Sequence, residues 1–257
     1  MKTVINPMPS PARQPLRLIL ANRVPILGTL RRFARALVDS VRPVRPSYAQ
    51  HGEDRLILQA LAGYDLSRSI YIDVGANHPT DISNTYLLYR RGVRGVTIEP
   101  NPELHRLHRS FRSRDIAIGV GCGERAALGT FEIMTTPVLS RFASSDERNI
   151  AGHEAQLWRK KHVPILPLDT IMEAVDYEWI CLLSIDTEGL DYEVLMGGPA
   201  TSSKALFLCV EVGDSASQAK MVSLLESLGY VIEDMPGCNL IARSTNPKFD
   251  QYRVKPS

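Results

Sequence analysis

A doubly wound α/β sheet is the fold class this sequence predicts: seven strands, mostly parallel, with an antiparallel hairpin at the carboxyl end. Three observations predict it. Unbroken apolar runs such as 70–74 suit strands buried on both faces of a parallel sheet. From residue 47 onward these runs alternate with helix-like segments. Residues 230–234 and 239–243 flank Pro236-Gly237, which makes the last two strands a hairpin.

The 257 residues, 44% hydrophobic and 23% charged, suffice for one sizeable core plus an extension. A formal charge of +2 conceals an asymmetry. Residues 1–46 carry nine Lys/Arg against the single acid Asp39, whereas the remaining 211 residues hold 21 bases and 27 acids. The acidic body argues against a nucleic acid as partner, and the basic arm suits an anionic membrane or a solvated tail. Cys122, Cys181, Cys209 and Cys238 form no CxxC pair, as expected of reduced thiols in a cytoplasmic protein.

In the arm, Pro25 and Gly28 delay the expected helix to 29–41. Leu30, Phe33, Ala34, Leu37 and Val41 recur at helical spacing while Arg31, Arg32 and Arg35 face elsewhere, the pattern of an interfacial helix. Contact with an anionic membrane through 29–45, placing the protein peripherally at the inner membrane surface, is one reading; a disordered leader, a helix packed on the body and a transit peptide are the others. No run reaches the roughly 20 apolar residues that span a bilayer. Residues 42–46 read as a linker, so 1–46 form an extension, 47–245 the domain and 246–257 a tail. Strands are expected at 70–74, 94–98, 115–118, 180–185, 205–211, 230–234 and 239–243, with helices at 52–62, 81–91, 102–109, 168–175, 190–196 and 215–228. Short extra strands at 130–134 and 163–166 flank a polar loop, 135–161, which carries Ser140, Ser144, Ser145, Arg148, His153 and Trp158. A loop of that length is a lid, a binding element or disorder, and Ser140 is a candidate acceptor contact.

The first strand runs into Asp73-Val74-Gly75-Ala76-Asn77, where the glycine permits a tight turn, and Glu99 closes the second strand. An acid there, about 20 residues past the glycine, is where nucleotide-binding α/β folds hold a ribose. A terminal antiparallel hairpin is the arrangement of class I methyltransferases. The ordered blocks Tyr48-Ala49-Gln50-His51-Gly52-Glu53-Asp54, Asp73-Val74-Gly75-Ala76-Asn77-His78-Pro79, Ser83-Asn84-Thr85, Gly95-Val96-Thr97-Ile98-Glu99-Pro100-Asn101-Pro102 and Ser184-Ile185-Asp186-Thr187-Glu188-Gly189 resemble the FkbM family of S-adenosylmethionine-dependent methyltransferases. The resemblance implies a Rossmann-like fold, with Asp73, Gly75, Ala76 and Asn77 around the donor's methionine part and ribose. It also implies Glu99 on the ribose hydroxyls, Asp115 near the adenine amino group, and Gln50 and Glu53 covering the donor. Family members methylate alcohols, so a hydroxyl of a sugar in a glycan, glycolipid or secondary metabolite is the expected acceptor.

Asp186, Glu188 and Glu211 follow apolar runs and lie at the carboxyl edge of the sheet, where open α/β folds bind ligands. Asp186 is the first candidate for the catalytic base and His78 the second, since a histidine in the donor turn titrates near neutrality. Glu188 and Glu211 are candidates for contacting the acceptor, either by hydrogen bonds or by holding Mg²⁺ with Asp186. His105 and His108, at i and i+3, read as a solvated helix face. Two alternatives stand beside the enzyme: a non-catalytic binding module at a membrane surface, and an NAD(P)-dependent oxidoreductase, which the single glycine of the turn disfavours.

Overall fold

A computed structural model describes residues 25–143 and 156–254; Ser144, Ser145, Arg148 and His153 lie outside them. The two layers of apolar side chains that the sequence places on strand faces become two cores, one on each face of a single sheet. Along β1 (Ser69–Val74) the alternation sends Ile70, Ile72 and Val74 to one core and Tyr71 to the other. β2 (Arg94–Ile98) and β3 (Ile116–Ile118) continue the sheet on one side of β1, all parallel. On the other side lie β8 (Trp179–Ile185) and β9 (Ala205–Glu211), also parallel. β10 (Tyr230–Asp234) and β11 (Asn239–Ser244) close that side as the antiparallel hairpin. The order β10-β11-β9-β8-β1-β2-β3 reverses direction of winding between β1 and β8, which opens a crevice at the carboxyl ends of those strands.

Beyond β3 the chain leaves this sheet for a smaller one. β4 (Gly121–Cys122), β5 (Ala127–Met134), β6 (Arg141–Phe142) and β7 (Leu157–Leu166) pair in the order β4-β7-β5-β6. β5 and β7 are longer than the short strands expected, because exposed backbone pairing reaches into polar residues such as Arg159, Lys160 and Lys161 that carry no burial signal.

The helices are α1 (Pro25–Val41), α2 (Glu53–Ala60), α3 (Tyr86–Arg90), α4 (Pro102–Phe111), α5 (Leu168–Met172), α6 (Asp191–Met196), α7 (Pro199–Ser202) and α8 (Ser215–Ser227). α1 begins at Pro25, four residues before the expected start, because proline is tolerated in the first helical turn. α3 is much shorter than expected. Ile82 takes a positive φ of 52°, and Ser83 Oγ accepts from the backbone N–H of Thr85 and Tyr86, so helix cannot begin before that cap. Among the described residues, no helix is long and apolar enough to cross a membrane. Cys122, Cys181 and Cys209 are buried, and burial lifts the thiols of Cys122 and Cys181 to about 12, which keeps them protonated and inert.

Candidate active site

The crevice is a cleft of about 970 Å³, counting the open solvent at its mouth. One wall is the turn after β1. Gly75 N–H and Ala76 N–H donate to the Ile98 carbonyl oxygen at 2.9 and 3.2 Å, and Asp186 N–H donates to Val74 O at 3.0 Å. These bonds bind the ends of β1, β2 and β8 into one edge. Gly75 has φ +76°, and a Cβ there would lie 1.8 Å from Asp186 O, so no other residue fits between the two loops.

Glu99 lines the cleft and is itself held. Its Oε2 accepts from Asn77 N–H and its Oε1 from Asn101 N–H, both at 2.7 Å, and Asn77 takes the left-handed φ of 45° that lets its N–H reach inward. Each carboxylate oxygen keeps a second lone pair for a ligand hydroxyl. Burial raises the Glu99 carboxyl to about 7, only partly offset by the two N–H donors, with Asp73 adding to the rise.

Asp73 is anchored from behind the sheet. Arg112, fully buried, donates to Asp115 Oδ2 at 2.8 Å and to Thr85 Oγ1 at 2.8 Å, and Thr85 in turn donates to Asp73 Oδ2 at 2.5 Å. Burial raises the Asp73 carboxyl, against the pull of the Arg112 guanidinium 3.7 Å away. The turn is braced further by His108, whose Nε2 donates to Asn77 O at 2.9 Å; burial drives its pKa well down, so the ring is neutral. The solvated face expected of His105 and His108 is therefore absent at His108, whose ring is buried beneath the turn.

The acidic edge lines the same cleft. Carboxylate oxygens of Asp186, Glu188 and Glu211 lie within 4.8 Å of one another. Burial, then the Glu211 and Glu188 charges, hold Asp186 well above the ordinary carboxylate range. Burial and the Glu211 charge raise Glu188 to about 7. Glu188 occupies a positive φ of 56°, fixed by Asp191, whose carboxylate accepts from Thr187 N–H at 2.9 Å and Gly189 N–H at 3.3 Å.

Three expected site residues fall elsewhere. Asp115 precedes β3 and so lies at the amino edge of a parallel strand, away from the cleft; its carboxylate is consumed by Tyr71 Oη, Gly95 N–H and Arg112. An adenine contact from Asp115 is excluded by that placement. His78 is also outside the cleft. Its Nδ1 accepts from Thr80 N–H and Asp81 N–H, its Nε2 faces Arg32 O at 3.0 Å, and burial lowers its pKa, so both nitrogens are engaged in holding a loop to α1 and no base is free. Glu53 ties His51 N–H and Asn239 Nδ2, 186 residues apart in sequence from the latter, and positions Gln50, which does line the cleft.

The cleft also draws in residues not singled out from sequence. Leu104, Val120, Cys122, Phe131 and Phe142 give it an apolar wall, with the two phenylalanine rings edge-on at 5.0 Å. Asn84 lines the cleft and donates to Ser184 Oγ at 3.2 Å. The Ser83-Asn84-Thr85 block was visible as a motif, but Phe142 carried no signal because it sits in a two-residue strand. Ser140 lines the cleft, with its Oγ accepting from Met134 N–H at 3.1 Å.

The family model described as "Methyltransferase FkbM domain" matches residues 73–232. No curated protein matches the chain. Similar solved structures include the mitomycin 7-O-methyltransferase MmcR, at 14% identity over 89% of this chain and 60% of that one, TM-score 0.36. Precorrin-6y C5,15-methyltransferase from Geobacter metallireducens GS-15 is 11% identical over 78% of this chain and 92% of that one, TM-score 0.36. Human methyltransferase 10 domain containing protein is 9% identical over 85% and 82%, TM-score 0.34. The chain thus spans about 60% of the length of the mitomycin enzyme.

Proposed function

The chain belongs to the FkbM methyltransferase family, and on that premise we propose that it is an O-methyltransferase that transfers a methyl group from S-adenosylmethionine to a hydroxyl of a sugar in a glycan, glycolipid or similar metabolite, in the cytoplasm. Family membership makes it an enzyme, which removes the non-catalytic and oxidoreductase alternatives. The cleft's lining suits this cofactor: Glu99 offers two oxygens to vicinal hydroxyls, the apolar wall suits a flat base, and the acid Asp73 suits a cation. When bound, S-adenosylmethionine supplies an electrophilic methyl on a sulfonium.

Glu99 and the convergent Asp186, Glu188 and Glu211 line one and the same cleft, and this carries the reading. Glu188, Glu211 and Asn84 orient a polyhydroxylated acceptor by hydrogen bonds. Asp186 in its ionised form receives the hydroxyl proton, and a positive charge in the cleft favours that form. This reading assigns the three carboxylates to the acceptor directly; a Mg²⁺ ion held by them is the second reading, favoured only by their 4.8 Å convergence. Incubation with labelled donor and a panel of glycolipid and glycan extracts tests the proposal. A methyl ether on a sugar is the expected product; labelled N- or C-methyl products alone would contradict it.

The raised pKa of Glu99 gives a pH signature. In the free protein, stability from this group is fully present below its ordinary value of 4.5 and is lost as pH rises through about 7, because the folded state holds the proton longer. Donor hydroxyls donate to the ionised carboxylate, so donor affinity runs the other way and rises with pH through about 7. Calorimetric titration in buffers of different ionisation enthalpy should show proton release on donor binding at pH 6, and Glu99→Gln should reduce it.

A further inference from the structure

The amino-terminal helix is turned inside out. α1 rests on the body through polar groups: Arg32 Nη2 donates to Glu103 Oε2 at 2.9 Å, and Asp39, 2% exposed, accepts from Thr80 Oγ1 at 3.2 Å, with Ala36 at 0% exposure between them. At 3.6 residues per turn the opposite side presents Leu30, Leu37 and Val41, 62%, 48% and 76% exposed, with Phe33 at its margin against Phe111. A helix on a globular body ordinarily buries that stripe and exposes the other.

We infer that this outward face docks on an anionic lipid bilayer. Charge selects the occupant. Arg31, Arg35 and Arg42 follow one another along one border of the apolar stripe, the layout of a helix lying in a membrane interface. Residues 1–46 hold nine Lys/Arg against one acid, whereas the rest of the chain is net acidic. Anionic headgroups match such a border, and two copies of the face packed together would set like-charged borders side by side.

The docked orientation follows from what α1 holds. Arg35 pairs with Asp81 at 2.8 Å, and the next residue, Ile82, 46% exposed, lines the cleft. Docking through α1 therefore keeps the Ile82 edge of the cleft beside the membrane-bound helix and favours a lipid-linked acceptor over a soluble one. This last step rests on the proposed acceptor site, whereas the docking itself does not.

Cosedimentation of the full chain with sucrose-loaded vesicles tests it, using phosphatidylcholine alone and phosphatidylcholine mixed with phosphatidylglycerol. Binding is expected to the mixed vesicles. The Leu30→Glu/Leu37→Glu variant should lower partitioning by about tenfold or more, and Arg31→Gln and Arg42→Gln by about fivefold per charge. All should keep wild-type affinity for S-adenosylmethionine by calorimetry, which shows that they are folded and separates this outcome from failure of the donor site. Absence of wild-type binding to the mixed vesicles, or equal binding by wild type and the double glutamate variant, overturns the inference. A wild-type dimer in sedimentation velocity that the glutamate variant dissociates overturns it too, by giving the face to a second copy.

Discussion

Replacing Glu99 with alanine is expected to weaken S-adenosylmethionine binding by about 2–3 kcal/mol, on the order of a hundredfold in Kd, the scale of hydrogen bonds to a charged group. The effect has two sources in the geometry. The ligand loses both carboxylate oxygens, and the N–H groups of Asn77 and Asn101, which each donate to one of them at 2.7 Å, lose their acceptors. With Asn77 N–H freed, the left-handed φ at Asn77 has less to hold it and the donor turn loosens. Glu99→Gln is expected to fall between the two. It keeps one oxygen but sets its amide N–H against one of the two backbone donors. Isothermal titration of all three proteins measures this, with thermal melts of the free proteins to confirm folding; an alanine variant that binds the donor as tightly as wild type would remove Glu99 from the site.

The second large effect is at the acidic edge of the cleft. Asp186→Asn is expected to lower kcat by about 10²–10⁴, the range for loss of a positioned general base, while leaving the donor Kd within about threefold. The backbone at Asp186 is fixed by its N–H to Val74 O, independently of the side chain, so the loop should not move. An amide cannot ionise, so the burial and the Glu211, Glu188 and Asp191 charges that raise Asp186 no longer oppose a charge at this position, and the variant should melt no lower than wild type. Lost activity with undiminished stability separates a chemical role from a structural one.

How far the sequence could be read depended on which physical signal each residue left. The strands were legible because burial on both faces writes an unbroken apolar run, as in Ile180 to Ile185. Glu99, Asp73 and Asp186 were legible because strand ends are fixed once strands are, and ligands gather at carboxyl ends. The same rule, applied strictly, excludes Asp115, which stands at the beginning of its strand and instead completes a buried cluster with Tyr71 and Arg112. His78 left no such mark. Whether a turn histidine faces the ligand or folds back is decided by a partner from α1, 46 residues earlier in the chain. Glu53 was misplaced for the same reason, its partner Asn239 being far away in sequence. The amphipathic period of α1 was plain, but a period specifies a face and not the direction it points; the buried Asp39 and Arg32 contacts set that direction. The small sheet of β4 to β7 was half visible, since polar, exposed strands such as Leu157–Leu166 resemble loop in composition.

A donor held by Glu99 is proposed to react with a hydroxyl whose proton passes to Asp186. Single-turnover methyl transfer from protein saturated with labelled S-adenosylmethionine isolates that step, because binding is then complete and only the chemistry is read. Wild type is predicted to transfer label to a sugar hydroxyl at a rate that rises with pH as Asp186 loses its proton, and Asp186→Asn to be slower by about a hundredfold or more with that pH dependence gone. Equal single-turnover rates for the two proteins, or an unchanged pH profile in the variant, would contradict it.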